Sequence, residues 1–405
     1  MLCSGGYRDR EDVTRLPTIA DADYSGRTVL VRADLNVPIR SGVVEDDFRL
    51  EAALPTVRIL RDAGARVVLC SHLGRPNGPN PAFSLRPVGE RLAAMGGFPV
   101  TVATDVAGLG AAAAVAAQRD GVVLLENTRF EPGETTNSPE LADRLGSLAD
   151  AFVMDAFGSA HRAHASTVGV AERLPSAAGP LLLAEVEAFD RILGSPDRPF
   201  VVVLGGAKVS DKLGVIKALL PKVDVMLVGG AMCFTLLAAE GFATGESLVE
   251  ADMVAAAADV LASADGSRLA LPTDLVAADR MAADAAHRVV PASGIPEESV
   301  CLDVGPETAE RFASILGGAD TVFWNGPMGV FEWEPFAAGT RRVAEAIAAS
   351  SAYSVVGGGD SVAALRAMGL DGAVSHLSTG GGAGLELIER GSLPGVEVLR
   401  RTGGA

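Results

Sequence analysis

Five short segments of the chain carry residue types suited to holding an anion: RADLNVP (32–38), DDFRL (46–50), SHLGRP (71–76), ENTRF (126–130) and DAFGSAHRAHAS (155–166). Four of them put an arginine past a strand end, as Arg49, Arg75, Arg129 and Arg162, and His72, His161 and His164 stand beside these. Guanidinium groups grip carboxylate and phosphate through paired N–H bonds, so convergent arginines suit a small, highly anionic ligand. Asp34 and Asn36 would add hydroxyl contacts. Singly, each arginine reads as a surface charge or a partner for a nearby carboxylate; four together change that reading. Of the histidines, only His72 reads as ligand-facing, since His161 and His164 lie in an Ala/Ser context where a hydrogen bond to a backbone carbonyl explains them.

The second half of the chain offers glycine instead: GGAKVSDKLGVIKALL (205–220), GGGDSVAALRAM (357–368) and STGGGAGLELIER (378–390). Glycine lets backbone N–H groups approach a ligand closely, and a helix start adds unpaired donors and a positive dipole end, so each is a candidate phosphate cradle. Asp360 or Ser361 is expected to cap its helix. The chain has only four lysines against 30 arginines, and all four, Lys208, Lys212, Lys217 and Lys222, fall within fifteen residues. Lys212 is expected in the first turn of a helix, where the dipole disfavours a cation and a neighbouring anion would justify it. Lys208 would sit one helical repeat earlier, and Lys217 and Lys222 would face solvent.

These loops need strands to hold them. Short apolar runs recur at 28–32, 66–70, 122–125, 151–154, 200–204, 223–228, 321–324 and 354–356, alternating with Ala/Leu-rich helical stretches. Runs apolar throughout, not alternating, indicate parallel strands covered on both faces. In such sheets ligands bind beyond the carboxyl ends of the strands, where the loops above fall. The fold class expected is α/β: two doubly wound, Rossmann-like parallel-sheet domains joined by a hinge. Their expected bounds are 17–185 and 199–388, with a linker helix and hinge at 186–198 and a flexible lead-in at 1–16.

Composition narrows the partners. The net charge of −17 and a pI near 4.8 argue against nucleic-acid binding, which rests on cations displacing counterions from phosphates. The longest uncharged apolar run, residues 225–239, has 15 residues interrupted by Gly229 and Gly230, short of the ~18 that span a bilayer. Cys3, Cys70, Cys233 and Cys301 show no metal-ligand spacing and read as reduced thiols in a cytoplasm. No signal peptide is readable at the N-terminus.

The GxxxxGK[ST] loop, the GxGxxG turn, the protein-kinase HRD and DFG motifs, the GxSxG elbow and HExxH are all absent. From the residues alone, phosphoryl transfer between a glycine/lysine polyphosphate site and an arginine-rich anion site is the natural inference. The motifs quoted above, with LDVGPET (302–308) and VFWNGPMGVFEWEPFAAGT (322–340), resemble phosphoglycerate kinase in order from about residue 17 to the end. The resemblance implies reversible transfer between ATP, as a magnesium complex, and the carboxylate of 3-phosphoglycerate, giving 1,3-bisphosphoglycerate and ADP in glycolysis and gluconeogenesis, by a cytoplasmic monomer. It implies that Asp34, Asn36, Arg49, His72, Arg75, Arg129 and Arg162 hold phosphoglycerate. Lys208, Lys212, Gly305, Asn325, Glu332, Gly358, Gly359, Asp360 and Ser361 would hold the nucleotide, with Asp360 on magnesium directly or through water. Arg49, Lys212, Gly381 and Gly382 would be catalytic, brought together by hinge closure, and the tail 389–405 would pack back on the N-terminal domain. The departures are mild: Met154 replaces an expected Asn, and Ser159 and Ser361 replace the commoner Thr. A non-catalytic paralogue with a binding role is the alternative, weighed against the presence of Arg49, Lys212, Glu332 and Asp360.

Overall fold

The structure, a computed structural model, describes residues 16–402; the lead-in expected at 1–16 lies, but for Leu16, outside them. The chain forms two compact units. One runs up to Val186 and resumes at Ser392, and the other is Glu187–Gly391.

In the first unit the strands, in spatial order, are Val100–Val102, Val122–Leu124, Arg66–Cys70, Thr28–Ala33, Ala151–Asp155 and Ser176–Ala178. All their pairings are parallel. The two central strands, TVLVRA and AFVMD, are buried at every residue, which is why the sequence shows no alternation there. One face is covered by the helix Phe48–Asp62, whose buried Leu50, Ala53, Leu54, Val57 and Leu60 recur at helical spacing. The chain after strand Thr28–Ala33 leads to Arg66–Cys70 on one side, while Ala151–Asp155 lies on the other. The loops leaving this central strand and its two neighbours therefore diverge and open a crevice. The helix Pro394–Thr402 returns to this unit, packing on Phe157–Ala160 and Ser176–Ala178 with Val396, Val398 and Leu399 buried.

The second unit repeats the plan with the order Leu269–Ala270, Val225–Val228, Phe200–Leu204, Thr321–Asn325, Tyr353–Gly357 and His376–Leu377, again all parallel. Its switch point lies between Phe200–Leu204 and Thr321–Asn325. A second sheet, unexpected from the sequence, pairs Asp274–Ala278 antiparallel with both His287–Pro291 and Val300–Val304. Its runs are broken by Asp274, His287, Arg288 and Asp303, which hid their strand character. The helix Pro180–Leu193 carries the chain from one unit into the next. Its start is held by Asp155, whose carboxylate accepts from Leu181 N at 2.9 Å and Leu182 N at 3.2 Å.

Candidate active site

At the carboxyl end of the central strand in the first unit, Asp34 is buried and accepts from Arg49 Nη1 at 2.8 Å. Burial would raise its pKa, but the Arg49 charge, with His72 and Arg32 behind it, holds it below the usual carboxylate range. Arg49 stands in the first turn of Phe48–Asp62, so the helix start fixes its reach. Asn36 Oδ1 accepts from Gly74 N at 2.8 Å, pinning the loop that carries Arg75. His72 is buried, with Nδ1 3.1 Å from Arg32 Nη2. Burial, and next the Arg32 charge, push its pKa down to about 3. A guanidinium only donates, so Nδ1 accepts and the imidazole proton lies on Nε2, where it can be given to a ligand.

A cavity of about 730 Å³ is lined by Arg75, Arg129, Arg162 and His164 together with Asn77 and Thr135. Arg129 is fixed from behind by a hydrogen bond from Nη1 to Gly74 O. Burial and the charges of Arg32, Arg162 and Arg75 lower its pKa. Like charges gathered around one cavity repel in the absence of a ligand, and an anion relieves that repulsion. Beneath them runs a buried network the sequence did not reveal. Arg32, 1% exposed, donates from Nε to Ser166 Oγ at 2.9 Å and from Nη2 to Ser159 Oγ at 3.2 Å. Glu134, 0% exposed, accepts from Ser166 Oγ at 2.6 Å and Ser166 N at 3.0 Å, and lies 3.7 Å from His164 Nδ1. Burial would raise the Glu134 pKa, yet His164, Arg32 and Ser166 bring it down to about 2. The structure thus gathers Arg75, Arg129 and Arg162 around one cavity, while Asp34, Asn36, Arg49 and His72 form a second group joined to them through Arg32. His164, set aside in the sequence, lines the cavity; an arginine inside the apolar run TVLVRA was the one sequence signal for Arg32.

In the second unit Lys212 lies at the switch point. Its Nζ donates to Gly205 O and, at 2.8 Å, to Asn325 O, the carboxyl ends of the two central strands. Burial lowers its pKa to about 8, against the opposing charges of Asp360 and Asp211. The helix begins at Leu213, not before Lys212, which holds the non-helical N-cap position because its side chain reaches back to those carbonyls. Lys208 is therefore not one helical repeat away; it is exposed on the preceding loop. Beside the switch point an apolar cavity of about 500 Å³ is lined by Phe234, Leu248, Met281 and Val330, with Gly206, Glu332 and Asp360 also on its wall.

The other glycine loops differ in detail from expectation. The helix Gly359–Ala367 is capped by Gly358 at φ 91°, with no side-chain cap, so neither Asp360 nor Ser361 caps it. Ser361 is wholly buried, and its hydroxyl accepts from Gly326 N at 2.6 Å. Gly381 and Gly382 open the helix Gly381–Arg390. Gly305 is the N-cap of Pro306–Gly317, and its neighbours Asp303 and Val304, not Gly305, line the cavity. Asn325 is buried. Cys70, Cys233 and Cys301 are free, buried thiols; Cys3 lies outside the described residues. Among the described residues no helix is long and apolar enough to cross a membrane.

The family profile described as Phosphoglycerate kinase matches residues 19–391. The chain is 57% identical over 396 residues to the phosphoglycerate kinase of Salinispora tropica, covering 96% of this chain and 99% of the relative. It is 55% identical over 386 residues to that of Thermus thermophilus, covering 94% and 99%. Among solved structures, phosphoglycerate kinase from Coxiella burnetii is similar at a TM-score of 0.84 and 40% identity, covering 96% of this chain and 99% of that one. The Pyrococcus horikoshii enzyme gives 0.87 and 33%, with the same coverage. The chain belongs to the phosphoglycerate kinase family and is a phosphotransferase with a carboxyl group as acceptor.

Proposed function

We propose that the first unit binds 3-phosphoglycerate, the second binds the nucleotide, and Lys212 and Arg49 serve the transfer itself. The observation that carries this reading is the cavity shared by Arg75, Arg129 and Arg162, where an anionic ligand would relieve the repulsion that bears on Arg129. Those three arginines hold the phosphate end of the acceptor, while Arg49, Asp34, Asn36 and the Nε2–H of His72 orient its carboxylate and hydroxyl. The apolar cavity takes the base, Glu332 the ribose, and Lys208, Lys212 and the glycine starts at Gly358 and Gly359 the phosphates, with Gly305 and Asn325 framing the nucleoside.

The acceptor carboxylate is ionised at neutral pH and needs no general base. One of its oxygens attacks the γ-phosphorus as the bond to the ADP oxygen breaks, and the protein supplies positioning and charge neutralisation. Arg49, Lys212 and the N–H groups opening Gly381–Arg390 would bear on the transferring oxygens, each worth ~3 kcal/mol by analogy with a single oxyanion donor. Among the described residues no group of three or more His, Cys, Asp or Glu side chains could hold a metal ion. Asp360, one of the carboxylates on the cavity wall, suits magnesium, which keeps waters and shares phosphate oxygens. Bound with the nucleotide, magnesium would supply further neutralisation of phosphate charge, with Asp360 holding it directly or through water. Since donor and acceptor belong to different units, turnover requires closure about residues 186–198, which also excludes water from the acyl phosphate. We place the enzyme in the cytoplasm as a monomer.

A coupled assay of ATP consumption with 3-phosphoglycerate tests the reading, and no turnover by well-folded protein would sink it. Lys212→Ala is expected to collapse turnover while leaving 3-phosphoglycerate binding within about twofold; loss of that binding too would refute the division of labour.

A further inference from the structure

The peptide joining Asn325 to Gly326 is held at both ends. Its carbonyl, Asn325 O, accepts from Lys212 Nζ at 2.8 Å and from Gly205 N at 3.0 Å. Its amide, Gly326 N–H, donates to Ser361 Oγ at 2.6 Å. The following carbonyl, Gly326 O, accepts from Trp324 Nε1 at 2.8 Å. Gly326 lies at φ +99°, and a Cβ added there would stand 2.6 Å from Lys212 Nζ, so the ammonium occupies space that only glycine leaves open. A hydrogen bond to a peptide N–H polarises the carbonyl of the same peptide. The Ser361 hydroxyl therefore both fixes the plane of this peptide and strengthens the carbonyl on which Lys212 rests.

The ammonium has a rival partner. Asp360 precedes Ser361 on the same helix start, and its charge acts on Lys212 more strongly than that of Asp211, the other acidic group bearing on it. Asp360 is exposed, so a lysine that left its seat for this carboxylate would move outward from the carbonyls of the switch point. Pairing would also occupy the one carboxylate assigned above to magnesium.

We propose that Ser361 is a positioning residue for Lys212: its hydroxyl fixes the Asn325–Gly326 peptide so that the ammonium rests on two backbone carbonyls instead of pairing with Asp360. The consequence for turnover rests on the reading of Lys212 as a phosphate ligand; the seat itself does not.

The scarcity of lysine makes this directly measurable. Trace acetylation of the ligand-free protein with acetic anhydride across pH 7 to 11, read lysine by lysine by mass spectrometry, gives the titration midpoint of Lys212. The exposed Lys208, Lys217 and Lys222 serve as internal references. In Ser361→Ala the Lys212 midpoint is expected to rise by about one pH unit or more as the ammonium gains a carboxylate partner, while the references stay fixed. Ser361→Thr keeps the hydroxyl and should retain the parent midpoint, and adding Asp360→Asn to Ser361→Ala should remove the rise. In the assay, Ser361→Ala should lose at least tenfold in kcat with the KM for 3-phosphoglycerate unchanged, and Ser361→Thr should recover it. An unmoved Lys212 midpoint in Ser361→Ala overturns the proposal, as does a rise that persists without Asp360. Should the alanine variant not fold, Ser361→Cys, with a weaker acceptor of similar size, is read the same way, and an unmoved midpoint there overturns it equally. The labelling uses no substrate, so its failure is distinct from an absence of turnover in the parent enzyme.

Discussion

Replacing Lys212 by methionine should make the second unit more stable while destroying activity. The lysine is 9% exposed, and burial pulls its pKa from 10.5 to about 8. That difference corresponds to about 3 kcal/mol of cost borne by the folded state whenever the amine is charged in both states. Methionine keeps most of the volume and removes the charge. The donors to Gly205 O and Asn325 O are lost, but Asn325 O still accepts from Gly205 N, so the offsetting cost is about 1 kcal/mol. A net gain of about 2 kcal/mol at pH 7 should raise the melting temperature of a unit this long by roughly 4 to 8 °C. Below pH 8 both folded and unfolded states hold the proton and the parent bears the full cost. Between about 8 and 10.5 only the unfolded state holds it, so parent stability rises with pH and the advantage of the variant shrinks. The assay is thermal melting followed by tryptophan fluorescence, because the only two tryptophans, Trp324 and Trp333, both belong to the unit Glu187–Gly391. A variant that melts at or below the parent at pH 7, or an advantage undiminished at pH 9.5, would refute the reasoning.

Three further outcomes are expected. Arg162→Ala should weaken 3-phosphoglycerate binding by roughly tenfold to a hundredfold, as calorimetric titration would show, with the KM for ATP within twofold, since one charged contact is lost from one unit only. Glu134→Gln should destabilise the first unit by about 3 kcal/mol, because it removes one of the two buried carboxylates, Glu134 and Asp34, whose charges bear on the buried Arg32. The Glu134 carboxyl titrates near 2 when folded and near 4.5 otherwise, so this deficit, measured by circular dichroism melting, should fade as pH falls through that window. Gly326→Ala should cost at least about 1 to 3 kcal/mol in tryptophan-detected melting and at least tenfold in kcat, since φ +99° is strained for alanine and its Cβ would crowd both the Gly205 carbonyl and the Lys212 ammonium that rests on it.

The central strands were readable because parallel strands buried on both faces must be apolar throughout, and Val201 to Leu204 or Phe152 to Met154 permit little else. The edge strands Ser176–Ala178 and His376–Leu377 were not, being too short to show a period. The antiparallel strand His287–Pro291 exposes four of its five residues, so apolar content could not mark it. Arginine-bearing loops announced the anion cavity by composition, but their supports did not. Glu134 reads as one acid among many in EPGET, and only folding shows it to be a buried counter-charge reached through Ser166. Lys212 was found for a partly mistaken reason: it is not a cation forced onto a helix start, but one drawn out of the helix by two carbonyls.

The order in which the chain visits its two units bears on synthesis. The second unit is one continuous stretch, Glu187–Gly391, and can complete its core once that stretch has left the ribosome. The first unit begins earlier yet lacks Val396, Val398 and Leu399 until the helix Pro394–Thr402 emerges, so its core is completed after that of the second. A message that stopped before Pro394 would yield a protein with its second unit whole and an apolar groove open along Phe157–Ala160, in the segment that carries Arg162. Such a fragment should bind nucleotide, fail to hold the acceptor, and expose the surface that quality-control proteases recognise.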